Sequence, residues 1–189
     1  MRWLSHRVMK TLGWTFLGEI PDLPKMVIIS APHTSNWDFI LFLAALHHYD
    51  IRVRFLGKHT LFRWPLGYLF RAIGGIAVDR TRPRGVVGQV RAAFDAEDRM
   101  TLVIAPEGTR DAAPSWKSGF IEIAETAGVP VVPAGVDGPS RTLTIGPAVE
   151  VRGDRVAFMD RLRAFYADKR GLRPGLKGPV RLGRETKSS

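Results

Sequence analysis

The chain has 189 residues, 45% of them apolar and 24% charged, a length and mixture that suit one globular domain and exclude a wholly disordered, collagen-like or membrane-embedded chain. Lys and Arg number 28 against 18 Asp and Glu, a formal net charge of +10, which favours a polyanionic partner: nucleic acid, an anionic membrane surface or a phosphorylated substrate. There is no cysteine, so disulfides, thiolate zinc sites and a cysteine nucleophile are excluded. The longest apolar run, from Phe39 to Leu46, falls far short of the roughly 20 residues that span a bilayer.

In chain order, the first signal is a helix over residues 2–17. Leu4, Val8, Met9, Leu12 and Phe16 occupy one arc of its wheel and Arg2, His6, Arg7 and Lys10 another, with Trp3 and Trp14 among the cations. That composition predicts a helix lying at a lipid headgroup boundary. The segment has neither the continuous apolar stretch nor the cleavage site of a signal peptide and reads as retained.

Short apolar runs bounded by turn residues predict buried strands at 26–30, 52–56, 76–78, 100–105 and 129–136, with helices at 38–48, 84–96 and 118–127 between them. This alternation predicts an α/β fold: a single layered domain with a largely parallel sheet flanked by helices and active residues on loops leaving strand ends. Residues 59–71 interleave Phe62, Trp64, Tyr68 and Phe70 with Arg63 and Arg71. Phe62 and Trp64, with Trp3, Arg7, Lys10 and Trp14, are the expected membrane contacts, and Tyr68 and Phe70 are expected in the core.

Residues 142–145 and 148–151, joined across Gly146-Pro147, predict a hairpin, and Phe158, Leu162, Phe165 and Tyr166 share one face of a last helix. With no repeat or linker, residues 1–169 form the expected domain. From Arg161 to Ser189 nine basic residues face two acidic ones, and the Gly- and Pro-bearing segment 170–189 is predicted to be a flexible basic tail.

Residues 32–38, Pro-His-Thr-Ser-Asn-Trp-Asp, follow a predicted strand and open a predicted helix, so His33 on the loop can meet Asp38 in the first turn. A carboxylate bonded to one imidazole nitrogen fixes the tautomer and leaves the other able to take a proton from a hydroxyl. Alone, the same residues also read as a helix cap beside a surface histidine. Two further segments each set an arginine just past a buried strand, Arg80 after 76–78 and Arg110 after 100–105, so both emerge at the sheet edge that carries His33. An arginine holds phosphate bidentately, Gly108 lets backbone approach closely and Thr109 adds a hydroxyl. A phosphate site beside a general base is the simplest joint reading.

At these residues the chain resembles the glycerolipid acyltransferase family, over roughly residues 26–136. It is similar to the family's histidine, four residues, aspartate block at His33 and Asp38, and to its Gly-rich strand ending in arginine at Gly75 to Arg80. It is similar as well to its Glu-Gly-Thr-Arg block at Glu107 to Arg110 and its proline-bounded apolar strand at Val129 to Pro133. Four blocks in order are far more specific than any one. The resemblance implies that His33 deprotonates the acceptor hydroxyl, that Asp38 orients His33, and that the alkoxide attacks an acyl thioester of coenzyme A or of an acyl carrier protein. Arg80, Gly108, Thr109 and Arg110 would hold the phosphate of an acceptor such as 1-acylglycerol 3-phosphate. Asp111 follows the third block where members commonly carry serine, and Glu107 and Lys117 are possible accessories.

The expected setting is cytoplasmic, peripheral at the inner face of the membrane, with no cofactor and no metal; adjacent His47 and His48 point to different helix faces and cannot form an i, i+4 ligand pair. The competing readings are acyl transfer to another lysolipid or a glycolipid, a hydrolase in which His33 and Asp38 activate water, and a non-enzymatic basic protein that binds membrane or nucleic acid. Against the last, the sequence holds no zinc pattern, aromatic sheet motif or basic recognition helix.

Overall fold

The period of two in the apolar runs decides the layers. Strand β2 (Lys25–Ala31) sends Val27, Ile29 and Ala31 into one core and Met26 and Ile28 into another, so it is buried on both faces. The computed structural model describes residues 11–64, 67–78 and 83–183. In chain order its elements are β1 (Thr15–Leu17), β2, α1 (Trp37–Tyr49), β3 (Arg54–Lys58), a 3₁₀ turn (His59–Phe62), α2 (Gly67–Ala72), β4 (Gly75–Val78), α3 (Pro83–Ala96) and β5 (Met100–Ile104). They continue with α4 (Gly119–Ala127), β6 (Val131–Asp137), β7 (Thr142–Ile145), α5 (Arg155–Tyr166) and a 3₁₀ turn (Pro174–Leu176).

The seven strands form one sheet in the order β1-β7-β6-β2-β5-β3-β4, in which every neighbouring pair is parallel except β6 with β7. Helices α3, α4 and α5 cover one face with Val90, Phe94, Phe120, Ile121, Phe158 and Leu162. Helix α1 covers the other through Leu41, Ala44 and Ala45. Tyr166 at the end of α5 is fully buried, and its hydroxyl donates to the carbonyls of Ile29 and Ala134, tying the helix to two central strands. The predicted fold class is the observed one.

Four local expectations are corrected. The helix expected over 2–17 does not reach its end as a helix: Gly13 takes a positive φ of 75°, and Thr15–Leu17 is a strand beside β7. A β-branched and aromatic sequence met a free sheet edge there, and Trp14 packs partly buried against the second core. Trp3, Arg7 and Lys10 lie outside the described residues. The hairpin of 142–145 with 148–151 does not form. Gly146 N–H donates to Pro133 O at 2.8 Å and Val149 bridges Val131, so the chain folds back onto β6, whose own antiparallel partner is β7.

In the 59–71 segment, Phe62 is buried at 6% exposure while Trp64 and Tyr68 stand 86% and 80% exposed. Phe62 packs against the Phe70 ring and Gly75, so core and surface are assigned the other way round for Phe62 and Tyr68. The fourth correction concerns the tail. Residues 170–183 pack on the domain: Gly171 N–H donates to Val136 O at 2.9 Å, and Leu182 is buried in the first core. Composition suggested flexibility, but specific partners override it.

Candidate active site

Strands β2 and β5 are parallel neighbours with Ile29 opposite Ile104, so the loops that leave them start from the same sheet edge. After β2 the chain passes a cis Ala31–Pro32 bond, runs through residues 33–36 and enters α1 at Trp37. Asp38, in the first turn, folds its carboxylate back over this loop. Its Oδ2 accepts the backbone N–H groups of Thr34 and Ser35 at 2.8 Å each and lies 3.0 Å from His33 Nδ1. The N-terminal end of a helix favours an anion at that position. With Nδ1 facing the carboxylate, the imidazole presents Nε2 for proton transfer.

Exposure separates the two partners. The His33 side chain is 32% exposed and that of Asp38 9%, so a substrate can reach the base while the carboxylate behind it stays shielded. The other carboxylate oxygen of Asp38, Oδ1, is buried with no hydrogen-bond partner among the described residues, a departure from full satisfaction of the kind that marks functional positions.

From the neighbouring loop, Glu107 is 4% exposed and its Oε2 accepts the His33 backbone N–H at 2.5 Å. Burial pushes its carboxyl above the usual range, opposed chiefly by that same N–H. Glu107 therefore fixes the backbone that carries the base. Gly108 has a φ of +67°, and an added Cβ would stand 2.9 Å from Lys117 Cε, so the lysine side chain crosses directly over the glycine. Thr109 Oγ1 accepts Asp111 N–H at 3.3 Å.

Arg110 is exposed and lines a cavity of about 350 Å³ together with residues 34–37, Asp111, Arg173 and Leu176. The structure thus gathers His33, Asp38, Glu107, Gly108, Thr109, Arg110 and Lys117 at one sheet edge. Strand β4 ends at Val78, and Arg80 lies outside the described residues.

Between α1 and the sheet runs a narrow apolar cavity walled by Ile28, Leu41, Phe42, Val103 and Leu143, with Asp38 also lining it. Tyr49 lines it too, its hydroxyl pushed up to about 12 by burial and hence neutral. Sequence reasoning missed this cavity because its walls come from β2, α1, β5, β6 and β7 and from three loops, at Ile20, Pro32 and Ile51 with Val53. It also missed Thr34, buried at 1% exposure, whose Oγ1 accepts the Arg173 N–H at 3.0 Å, and Arg173 itself. Asp137, ending a wholly buried strand and followed by Gly, was the one signal that a cation must come back to that edge.

A mostly parallel sheet with a histidine and a carboxylate at its loop-bearing edge, beside a glycine and an arginine, is an α/β framework suited to general-base chemistry. The sequence model of the family described as Acyltransferase matches residues 17–137, more than half of the chain, and the protein belongs to that family. Among solved structures, it is similar to the crystal structure of the 1-acyl-sn-glycerophosphate (LPA) acyltransferase PlsC from Thermotoga maritima. The TM-score is 0.63 and the identity 20%, over 90% of this chain and 76% of that one. The two share the fold. No curated protein matches the chain.

Proposed function

We propose that this protein moves a fatty acyl group from an acyl thioester to the free hydroxyl of a phosphorylated glycerolipid such as 1-acylglycerol 3-phosphate. The observation that carries the reading is the His33–Asp38 pair, 3.0 Å apart, with Asp38 lining an apolar cavity and its loop residues 34–37 lining one that also holds Arg110. His33 Nε2 takes the proton of the acceptor hydroxyl, and the oxygen attacks the thioester carbonyl. The tetrahedral intermediate collapses with cleavage of the C–S bond, and the thiolate leaves with the proton returned by the imidazolium. Asp38 holds the ring in the required tautomer and offsets the imidazolium charge, while Arg110, with Gly108, Thr109 and Arg80, holds the acceptor phosphate.

The apolar cavity suits an acyl chain, and the donor is a coenzyme A or a carrier-protein thioester; no metal or cofactor enters the scheme. The Thermotoga protein of similar fold is a 1-acyl-sn-glycerophosphate acyltransferase, which supports the same substrate class here. We infer also that the protein works at an anionic lipid surface on the cytoplasmic side. Trp37, Ile40, Trp64, Tyr68 and Leu69 are exposed on α1 and around α2, elements linked by the Phe39–Phe70 ring contact, and the net charge of +10 suits anionic headgroups. Among the described residues no helix is long and apolar enough to cross a membrane.

The test is incubation of the pure protein with labelled acyl thioesters and a panel of acceptors, each soluble or embedded in anionic vesicles, with products identified by mass. Phosphatidate formed from 1-acylglycerol 3-phosphate is the expected product. Acylation confined to phosphate-free acceptors, or hydrolysis of the thioester alone, would replace this reading with another.

A further inference from the structure

The segment after α5 returns to the active-site edge by a set of specific bonds. Arg170 grips the buried carboxylate of Asp137 with a fork at 2.8 and 2.9 Å and adds its own N–H at 3.1 Å. Gly171, at a φ of +71°, lies so close beneath the catalytic loop that an added Cβ would stand 2.8 Å from Thr34 Oγ1. Two residues on, the Arg173 N–H donates to that same hydroxyl. The next residues form the 3₁₀ turn Pro174–Leu176, and Leu176 with Arg173 closes the cavity of about 350 Å³.

Without Arg173 the charged side chains that line that cavity would balance. Arg110 enters it beside Asp111, and the two cancel. Arg173 supplies the net positive charge. Neither guanidinium has a carboxylate partner among the described residues, whereas Arg54, Arg99, Arg155 and Arg170 are each paired. Two unpaired arginines from separate loops, with the hydroxyl-bearing turn 34–36 between them, suit a doubly charged oxyanion that accepts from a fork on either side. The volume is that of a small-ligand site.

We propose that Arg173 is a phosphate-binding residue of the active site, closing with Arg110 on a phosphate monoester or pyrophosphate group of a substrate. Arg173 is delivered by the Asp137–Arg170 and Thr34 contacts and offsets the charge of Asp111. The proposal takes only its choice of ligands from the reading above. Two sources present this chemistry there: the acceptor headgroup and the phosphates of coenzyme A.

The experiment is isothermal titration of the full-length protein with a short-chain 1-acylglycerol 3-phosphate below its micelle concentration and, separately, with coenzyme A. Arg173→Met should weaken binding of one of them about tenfold or more, the effect of losing a charge-assisted contact, and leave the other unchanged, which identifies the source. Arg173→Lys, which keeps charge but loses the fork, should fall between. Asp111→Ser should tighten the same ligand and restore part of what Arg173→Met loses. The Arg173 side chain is exposed, so each variant should melt as the wild type does. Unchanged affinity for both ligands in Arg173→Met, or a wild type that binds neither, would overturn the proposal. Because binding is read without turnover, a protein that holds phosphate through Arg173 yet acylates no glycerolipid would leave this site standing and remove only the proposed reaction.

Discussion

Asp38 Oδ2 accepts the backbone N–H groups of Thr34 and Ser35 at 2.8 Å each and stands 3.0 Å from His33 Nδ1. One oxygen therefore fixes both the loop that carries the base and the ring of the base. Losses at the two residues should not add. Asp38→Asn and His33→Ala should each lower kcat, and the double variant should be little slower than His33→Ala alone, since residues that act as one unit give non-additive effects. Steady-state kinetics of the four proteins check this; independent, multiplying losses would mean that the two act separately.

Glu107 supplies a second hold on the same backbone, and its burial makes the outcome depend on pH. Its carboxyl is raised in the folded protein above the ordinary value of 4.5, so its contribution to stability is greatest below that value and declines as pH rises through the folded one. Glu107→Gln keeps an acceptor for the His33 N–H without the charge and should remove this decline. Glu107→Leu leaves the N–H unpaired and should cost about 1 to 3 kcal/mol at any pH. Urea unfolding at a series of pH values separates the two; equal stability of the Leu and Gln variants would show that the 2.5 Å contact contributes nothing.

The sequence carried the central sheet and the chemistry at its edge, because both are local. Runs such as 26–30 and 129–136 are continuous and apolar, as strands buried on both faces must be, and the spacing of His33 and Asp38 is set by a single loop-to-helix junction. What was illegible depended on partners distant in sequence. Phe62 and Tyr68 have similar local surroundings, yet Phe70 and Gly75 bury the first and the second stays exposed. Residues 170–183 read as a tail because the bonds that order them run to Asp137, Thr34 and Val136. Thr15–Leu17 became a strand through pairing with β7, more than a hundred residues later.

The Asp137–Arg170 pair makes the return of that segment acid-sensitive. The Arg170 fork and the Ser140 N–H hold the Asp137 carboxyl well below its ordinary 3.8. A depressed carboxylate contributes stability above its unfolded value that is lost as pH falls below it. Asp137→Asn should therefore be less stable than the wild type at neutral pH, and the difference should shrink as pH drops through the region below 3.8. Thermal melts across that range provide the check, and a gap that persists in acid would assign the loss to packing instead.

Arg110 tests the phosphate side of the reading. Lysine preserves the charge but not the fork. Arg110→Lys should weaken transfer to phosphorylated acceptors by about 1.5 to 3 kcal/mol in kcat/KM, the worth of a charge-assisted bond, and hardly change transfer to a phosphate-free analogue. Equal losses on both acceptors would assign Arg110 to something other than phosphate.

The central claim is that His33 takes the proton of the acceptor hydroxyl in an acyl transfer. Its most direct measurement is single-turnover formation of phosphatidate from acyl-coenzyme A or acyl-carrier-protein thioester and 1-acylglycerol 3-phosphate, compared between wild type and a His33→Ala variant whose melting temperature is unchanged. The account predicts a loss of about 10² to 10⁴ in rate, the usual worth of a positioned general base, with binding of the acceptor retained. A folded His33→Ala protein that transfers the acyl group at close to the wild-type rate would contradict it.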